Sequence, residues 1–389
     1  MRRVTGTFRI TDYGEEKVRA YLPNPLPPDP PVSLYGQMER YERANVALGR
    51  LDALGLLLPD LPLFVYYYVR KEAVLSSQIE GTQSSVADLL MFENEQAPGV
   101  PEEDVAEVSN YVAALFHGVE RMRHSLPLSL RLLREMHGML LCRGRGSEKQ
   151  PGEFRTSQNW IGGNRPGNAI YVPPPPREML QCLDAFEKFL HADTPGVPPL
   201  IKAALAHVQF ESIHPFLDGN GRLGRQLITL MLCSQNVIHE PILYLSLFFK
   251  QNRDRYYELL QGVRVDGDWE SWIGFYLEGI ESTAENAYST ARRLVALFET
   301  DRKRLETHKR ASSSLLRMHE LLRQRPIWQA PKLAKAMNLS GPGVRKLISN
   351  MIEEEVLREI SGKQRYQVYC YQRYLDILNE DTEPLAKAA

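Results

Sequence analysis

The sequence predicts a mainly α-helical protein, with one β-hairpin inserted in a helical core and a winged helix-turn-helix domain at the C-terminal end. Three observations lead there. Apolar residues recur at i, i+3, i+4 and i+7 through most of the chain. One stretch, QNWIGGNRPGNAIYVPPPP at 158–176, instead carries two short β-prone runs around a Gly/Asn/Pro loop. From about Ser312 onward the pattern changes to three helices followed by two strands.

Taken in order, LPNPLPPDPP at 22–31 is too rich in proline for a helix or a central strand and reads as an extended arm. Helices are then expected over Tyr35 to Leu56, Phe64 to Gln78, Val105 to Arg121, Leu128 to Leu141, Arg177 to Ala192, Leu200 to Glu211, Arg222 to Gln235, Arg253 to Arg264 and Trp269 to Leu305. The insertion at 158–176 suits either a surface decoration or, through Trp160 and Tyr171, a clamp for an extended peptide. Near the C-terminus, a helix at Ser312 to Arg323, then APKLAKAMNLS, a GPG turn and VRKLISNMIEEE make three helices, and VLREISGKQRYQVYCY makes two strands around Ser361 and Gly362. Lys332, Lys335, Arg345, Lys346, Lys363 and Arg365 would form a basic face there, suited to DNA or to a partner protein. The expected division is an arm and first helix over 1–60, a core over 61–295 and a linker helix with the winged helix over 296–389.

Composition sets the frame. With 389 residues, 43% of them apolar and 24% charged, the chain can build two or three cored domains, and wholesale disorder is excluded. The net charge of −1 conceals a division. From Asp301 onward there are 17 Lys and Arg against 11 Asp and Glu, a balance of +6, whereas the first 300 residues hold 30 against 37, or −7. Cys142, Cys182, Cys233 and Cys370 are far apart and form no CxxC or CxxH pair, which argues against a disulfide framework or a zinc site. The opening MRRVTGTFRI lacks a signal-peptide core, and Pro59, Asp60 and Pro62 break the apolar run LGLLLPDLPLFVYYYV before it could span a bilayer. A soluble cytoplasmic protein without membrane contact is expected.

The chemistry concentrates in IHPFLDGNGRLGR at 213–225. DGNG alone is a common turn, because Gly tolerates positive φ and Asp or Asn bond their own backbone. The residues after it form an amphipathic helix whose first turn carries Arg222 and Arg225 on one face. Arginines oppose the dipole at a helix N-terminus, at a cost of about 0.3–1 kcal/mol each, so an anion is expected to offset them. The amides of Gly219, Asn220 and Gly221 would face the same spot, and a polyphosphate is the natural occupant. Asp218 would repel a bare phosphate chain but suits a bridging Mg2+. His214, with an ordinary pKa of about 6.5, suits a general base at the mouth of the site. Phe216 is expected to plug the loop into the core, and His207 reads as a packed structural histidine.

His214-Pro215-Phe216-Leu217-Asp218-Gly219-Asn220-Gly221-Arg222-Leu223-Gly224-Arg225 resembles, at all nine specified positions, the HPFx[DE]GNGRxxR signature of Fic-domain proteins. The resemblance extends over roughly 35–290 and includes PGEFR, which is similar to the family's lead into its flap. It implies a Fic-type helical bundle that transfers AMP from ATP to a Ser, Thr or Tyr hydroxyl of a target protein. In that reading His214 deprotonates the hydroxyl and Asp218 holds Mg2+. Gly219, Asn220, Gly221, Arg222, Leu223, Gly224 and Arg225 form the phosphate site, with Arg225 on the γ-phosphate. Trp160, Ile161, Ile170, Tyr171 and Val172 form a flap over 156–176 that aligns the target. Tyr256, Tyr257 and Leu260 line the adenine pocket or pack in the core. Relatives that move phosphocholine, UMP or phosphate leave the transferred group open, and a DNA-binding regulator with a nucleotide-sensing core is a further alternative. A homodimer is also compatible.

Upstream, LSSQIEGTQSS places Ser76 and Glu80 four apart, on one helical face, with Gly81 at a terminating or close-packed end. This resembles the family's [ST]xxxE[GN] inhibitory motif, on a helix over 64–82. A glutamate there would pair with Arg225 and occupy the guanidinium that the γ-phosphate needs. In some relatives the same glutamate positions water for removal of AMP, which keeps the reverse reaction open.

Overall fold

A computed structural model of the chain describes residues 3–14, 16–57, 61–93, 101–307, 313–362 and 367–383. Pro59, Asp60, Lys363 and Arg365 lie outside the described residues. In chain order the elements are β1 (Gly6–Tyr13), β2 (Glu16–Pro23), α1 (Met38–Leu57), α2 (Leu61–Ile79), α3 (Val86–Glu93), α4 (Glu102–Arg123), α5 (Leu130–Leu140), α6 (Pro176–His191), α7 (Pro199–Ile213), α8 (Asn220–Ser234), α9 (Ser246–Gln251), α10 (Arg253–Asp266), α11 (Trp269–Thr307), α12 (Ser313–Gln324), β3 (Ile327–Gln329), α13 (Ala330–Met337), α14 (Gly341–Glu353), β4 (Arg358–Glu359), β5 (Val368–Cys370) and α15 (Gln372–Asn379). The protein is mainly helical, as the periodicity predicts.

The bundle is built around α7. Its sequence PLIKAALAHVQFESI is apolar on nearly every side, and every residue from Leu200 to Ile213 is buried. Helices α6, α8, α10 and α11 surround it. It ends at His214, which adopts the left-handed conformation at φ 50°. Gly219, at φ 77°, then turns the chain into α8.

The structure differs from the sequence reading in three places. First, β1 and β2 form an antiparallel hairpin ahead of the proline-rich arm. Alternation in KVRAYL turns Val18 and Ala20 inward against Val172, Trp160 and Ala169. Second, the 158–176 insertion makes one antiparallel bridge, Ile161 to Tyr171, instead of a two-stranded hairpin. Its outer neighbour is β2, whose Tyr21 N–H donates to the Val172 carbonyl at 2.9 Å. Pro173 to Pro176 have no amide hydrogen, which ends pairing on that side. Third, GPG does not precede α14 as a turn but opens it: Ser340 accepts from the Gly343 amide at 3.3 Å, with Pro342 in the first turn.

The short helices α3, α9 and α15 escape the periodicity reading because six to eight residues hold too few apolar repeats. At the C-terminal end α12, α13 and α14 pack with a three-stranded sheet in the order β3-β5-β4. Among the described residues no helix is long and apolar enough to cross a membrane.

Candidate active site

The end of α7, the loop 214–219 and the start of α8 form one site, covered from the N-terminal side by α2. His214 sits with its Nδ1 3.9 Å from Glu211 Oε2. Burial, together with the Arg155 and Arg264 cations, depresses its pKa to about 3, so the imidazole is neutral near pH 7. Arg155, in the PGEFR segment and buried, donates from Nε to the His214 carbonyl at 2.9 Å. It also donates to the carbonyls of Ser157 and Pro174, at 3.1 and 2.5 Å, and so ties the His214 backbone to both ends of the inserted segment.

Asp218 keeps 35% of its side chain exposed, and its Oδ1 accepts from the Gly219 amide at 2.5 Å. Arg222 is the opposite case, with 1% of its side chain exposed. Its Nη1 meets Glu107 Oε2 at 3.0 Å and its Nη2 lies 3.6 Å from Asp218 Oδ1. Arg222 Nε and Nη2 have no hydrogen-bond partner among the described residues. Buried donors of a guanidinium are costly to leave unmet, and an anionic oxygen at the loop would satisfy them.

Arg225 is engaged through Nε and Nη2. Nε donates to Ser76 Oγ at 2.8 Å, and Nη2 donates to the Ser76 carbonyl at 3.0 Å and to Glu80 Oε1 at 2.8 Å. The structure therefore brings Ser76, Glu80 and Arg225 into one cluster. Burial alone would raise the Glu80 pKa, but Arg225 outweighs it, with Arg222 and Arg145 adding to the same effect, and the carboxyl is held below its ordinary value. Gly81 follows the end of α2 at φ 103°. A Cβ on Gly221 would overlap the Glu80 carboxylate, so glycine at 221 is what lets the end of α2 approach the head of α8.

Other expected site residues fall elsewhere. The Asn220 side chain turns back on its own loop. Its Oδ1 accepts from the Phe216 amide at 2.9 Å and its Nδ2 donates to the Phe216 carbonyl at 2.8 Å, so it pins the loop closed. Leu223 is buried in the core, and Gly224 packs on α7, where a Cβ would overlap the Glu211 carboxylate. Helical geometry turns both away from the face shared by Arg222 and Arg225. Tyr256 and Leu260 are core residues, 1% and 3% exposed, and the Tyr256 hydroxyl meets His207 Nε2 at 2.8 Å. Tyr257 is 39% exposed and lines an open cleft of about 610 Å³ with Ile170, Gln261 and Val265. His207, bonded on its other nitrogen to the Gly224 carbonyl at 2.9 Å, is structural as expected from its place on α7.

Within the inserted segment, Tyr171 and Val172 are buried, and the Tyr171 hydroxyl donates to the Ser212 carbonyl at 2.6 Å. Their side chains anchor the segment to the core. Trp160 and Ile161 are half-buried, and Ile170 is 75% exposed. Sequence reasoning missed Glu107, Arg155 and His137. No local signal marks the first, since a lone Glu on an amphipathic helix is ordinary. Arg155 lay within PGEFR, and its five donors are the trait that suits it to joining several carbonyls.

For a metal, the test is the donor set. Among the described residues no group of three His, Cys, Asp or Glu side chains is placed to hold an ion. Asp218 alone fits Mg2+ only as an ion that arrives with phosphate oxygens as its other ligands.

Comparison with known proteins agrees with this geometry. Residues 38–120 match the family model described as Fic/DOC family N-terminal, and residues 127–232 match the model described as Fic/DOC family. Protein adenylyltransferase Fic of Drosophila ananassae is 30% identical over 161 residues, which are 41% of this chain and 29% of that protein. The counterpart of Drosophila grimshawi is 31% identical over 161 residues, 41% of this chain and 30% of that protein. The chain thus spans less than a third of the length of these curated relatives. Among solved structures, a Fic family protein from Desulfovibrio desulfuricans G20 superposes with a TM-score of 0.56 at 20% identity, over 88% of this chain and 97% of that one. A Fic domain containing signaling protein from Bacteroides thetaiotaomicron VPI-5482 gives 0.52 at 19% identity, over 64% and 95%. The two family models thus fall on successive stretches that hold the covering helix, the central helix and the loop, and the chain carries a Fic/DOC N-terminal region at 38–120 and a Fic/DOC domain at 127–232.

Proposed function

We propose that this protein transfers AMP from ATP to a hydroxyl side chain of a target protein, and that Glu80 holds it inactive at rest. The carrying observation is the split between the two motif arginines. Arg222 is buried with Nε and Nη2 unmet, whereas Arg225 is held through Nε and Nη2 by Ser76 and Glu80. One half of a polyphosphate site is ready and the other is blocked. In the reaction His214 takes the proton of the target hydroxyl, whose oxygen attacks the α-phosphorus. The bond from that phosphorus to the bridging oxygen breaks, and pyrophosphate leaves with that oxygen. A neutral His214 is the form that can accept a proton. Asp218 would hold Mg2+, which supplies charge neutralisation to the phosphates. Arg222 and the amides at the head of α8 bind phosphate oxygens, Tyr257 flanks the adenine, and the exposed edge at Ile161 and Ile170 meets the target. The names of the curated relatives support AMP as the transferred group.

The test is α-labelled ATP added to Glu80→Gly protein, alone and in lysate, beside wild type and Glu80→Gly/His214→Ala. Labelling of the first alone supports the proposal. Equal labelling of Glu80→Gly and wild type removes the brake, and label that survives loss of His214 removes the base.

A second reading concerns the C-terminal helices. Lys335, Arg345 and Lys346 are exposed on α13 and α14, the pair that a winged helix presents to DNA. A gel shift with a fragment of the protein's own promoter, with and without ATP, separates this from a purely enzymatic role. A complex that weakens steeply with salt supports DNA binding, and no complex excludes it.

A further inference from the structure

We infer that His137 is a positioning residue that sets the aim of the anion loop. It sits on α5, outside the motif, with its side chain fully buried. Nδ1 accepts from the Gly152 amide at 2.8 Å, which leaves the proton on Nε2 to donate to the Asp218 carbonyl at 2.9 Å. The ring lies 3.8 Å from the Phe216 ring at 9° between planes. One imidazole thus holds three points: the backbone of the residue that carries the loop carboxylate, the phenylalanine that plugs the loop, and the PGEFR turn that leads to Arg155.

The Gly219 Cα stands close above, where an added Cβ would lie 3.5 Å from His137 Nε2. A displacement of the ring would therefore move Asp218 and the Gly219 turn together. Sub-ångström placement matters for groups that must meet phosphate oxygens, so a neutral, doubly bonded and stacked histidine acts on binding without touching the nucleotide.

This inference rests on the reading of residues 214–225 as a phosphate site, and its test reads binding apart from transfer. In the Glu80→Gly protein, affinity for a fluorescent ATP analogue with Mg2+ is measured for His137→Phe, which keeps the stack and loses both hydrogen bonds. His137→Gln, which can restore the donor to Asp218, and His137→Asn, which can restore the acceptor for Gly152, complete the set. The Phe variant should bind at least tenfold more weakly, with Gln recovering affinity better than Asn and adenosine affinity changing less than twofold. Unchanged ATP affinity in the Phe variant overturns the inference. Should that variant not fold, equal affinities of Gln and Asn overturn it. Binding without AMP transfer in the Glu80→Gly parent would instead refute the proposed reaction and leave this inference standing.

A separate set of contacts carries a second inference: we propose that residues 372–383 strap α2 in its blocking position. The Gln78 side chain, two residues before Glu80, donates to the Thr382 carbonyl at 2.8 Å. Lys250 on α9 donates to the Glu383 carbonyl, and Arg293 on α11 pairs with Glu380 at 2.5 Å. Tyr374 on α15 meets Tyr67 on α2 edge-on at 5.1 Å, and the Tyr67 hydroxyl donates to the Gln324 carbonyl at 3.1 Å. The C-terminal segment therefore covers the outer side of the helix whose inner side holds Arg225. A partner that draws this segment away would loosen Glu80.

The test compares full-length wild type with Gln78→Ala/Arg293→Ala by hydrogen exchange over residues 74–82 and by self-labelling. Exchange should rise at least tenfold there, and labelling should rise toward that of Glu80→Gly. Unchanged exchange overturns the strap. Faster exchange in a protein that never labels, even as Glu80→Gly, refutes only the reaction.

Discussion

Replacing Glu80 by glycine removes one carboxylate from Arg225, and the size of the effect follows from the contact. The bond is a 2.8 Å charge-assisted pair between a side chain 2% exposed and one 30% exposed. A hydrogen bond to a charged group contributes about 1.5–3 kcal/mol. At about 1.4 kcal/mol per decade, that corresponds to roughly a 10- to 150-fold larger fraction of protein with Arg225 free. The partial exposure of Glu80 favours the lower half of that range, because solvent screens the pair. The assay is the initial rate of self-labelling from α-labelled ATP at low ATP, where occupancy of Arg225 limits binding. Glu80→Gln, which keeps an acceptor but loses the charge, should fall between wild type and Glu80→Gly. Because Arg225 holds the Glu80 pKa below its ordinary value, the pair persists above the ordinary carboxylate range and is lost only as the pH falls through the depressed value. Wild type should therefore stay inhibited from pH 8 down to 5. A wild-type rate equal to Glu80→Gly, or one that climbs as pH falls from 7 to 5, would refute this reasoning.

Other outcomes follow from the same geometry. With the His214 pKa depressed to about 3, kcat of Glu80→Gly should show no acid limb near pH 6.5, and a half-loss at that pH would mean that the histidine is solvated. Tyr257→Ala should raise KM for ATP several-fold with little change in Tm. Tyr256→Ala, which empties a core position, should cost about 3–5 kcal/mol of stability, measured by denaturant unfolding. Burial raises the Glu211 carboxyl to about 7, so the folded state holds a proton that the unfolded chain releases near 4.5, and stability falls as pH rises between those values. Glu211→Gln should therefore raise Tm at pH 8 relative to wild type and leave it nearly unchanged at pH 4.5; an equal shift at both would exclude the ionisation. Asp218→Asn should weaken the Mg2+ dependence of labelling more than ATP binding without metal.

The sequence by itself determined the helical class, because long amphipathic repeats survive in any tertiary setting. It also determined the chemistry of 213–225, because histidine, carboxylate, glycine turn and arginine pair are local in the chain. Ser76 and Glu80 could be matched to Arg225 only through resemblance, since 145 residues separate Glu80 from its partner. Tertiary structure decided which candidates face the site. Asn220 turned back to pin its own loop, Tyr256 and Leu260 went into the core while Tyr257 stayed at the cleft, and Tyr171 became an anchor. These outcomes depend on which helical face meets a neighbour, and a one-residue step around a helix rotates a side chain by about 100°. Tertiary structure alone also recruited His137, Arg155 and Glu107. His137 and Glu107 are single residues on unremarkable stretches, nothing local in PGEFR shows the partners of Arg155, and each acquires a role only when a distant backbone carbonyl or guanidinium is packed against it.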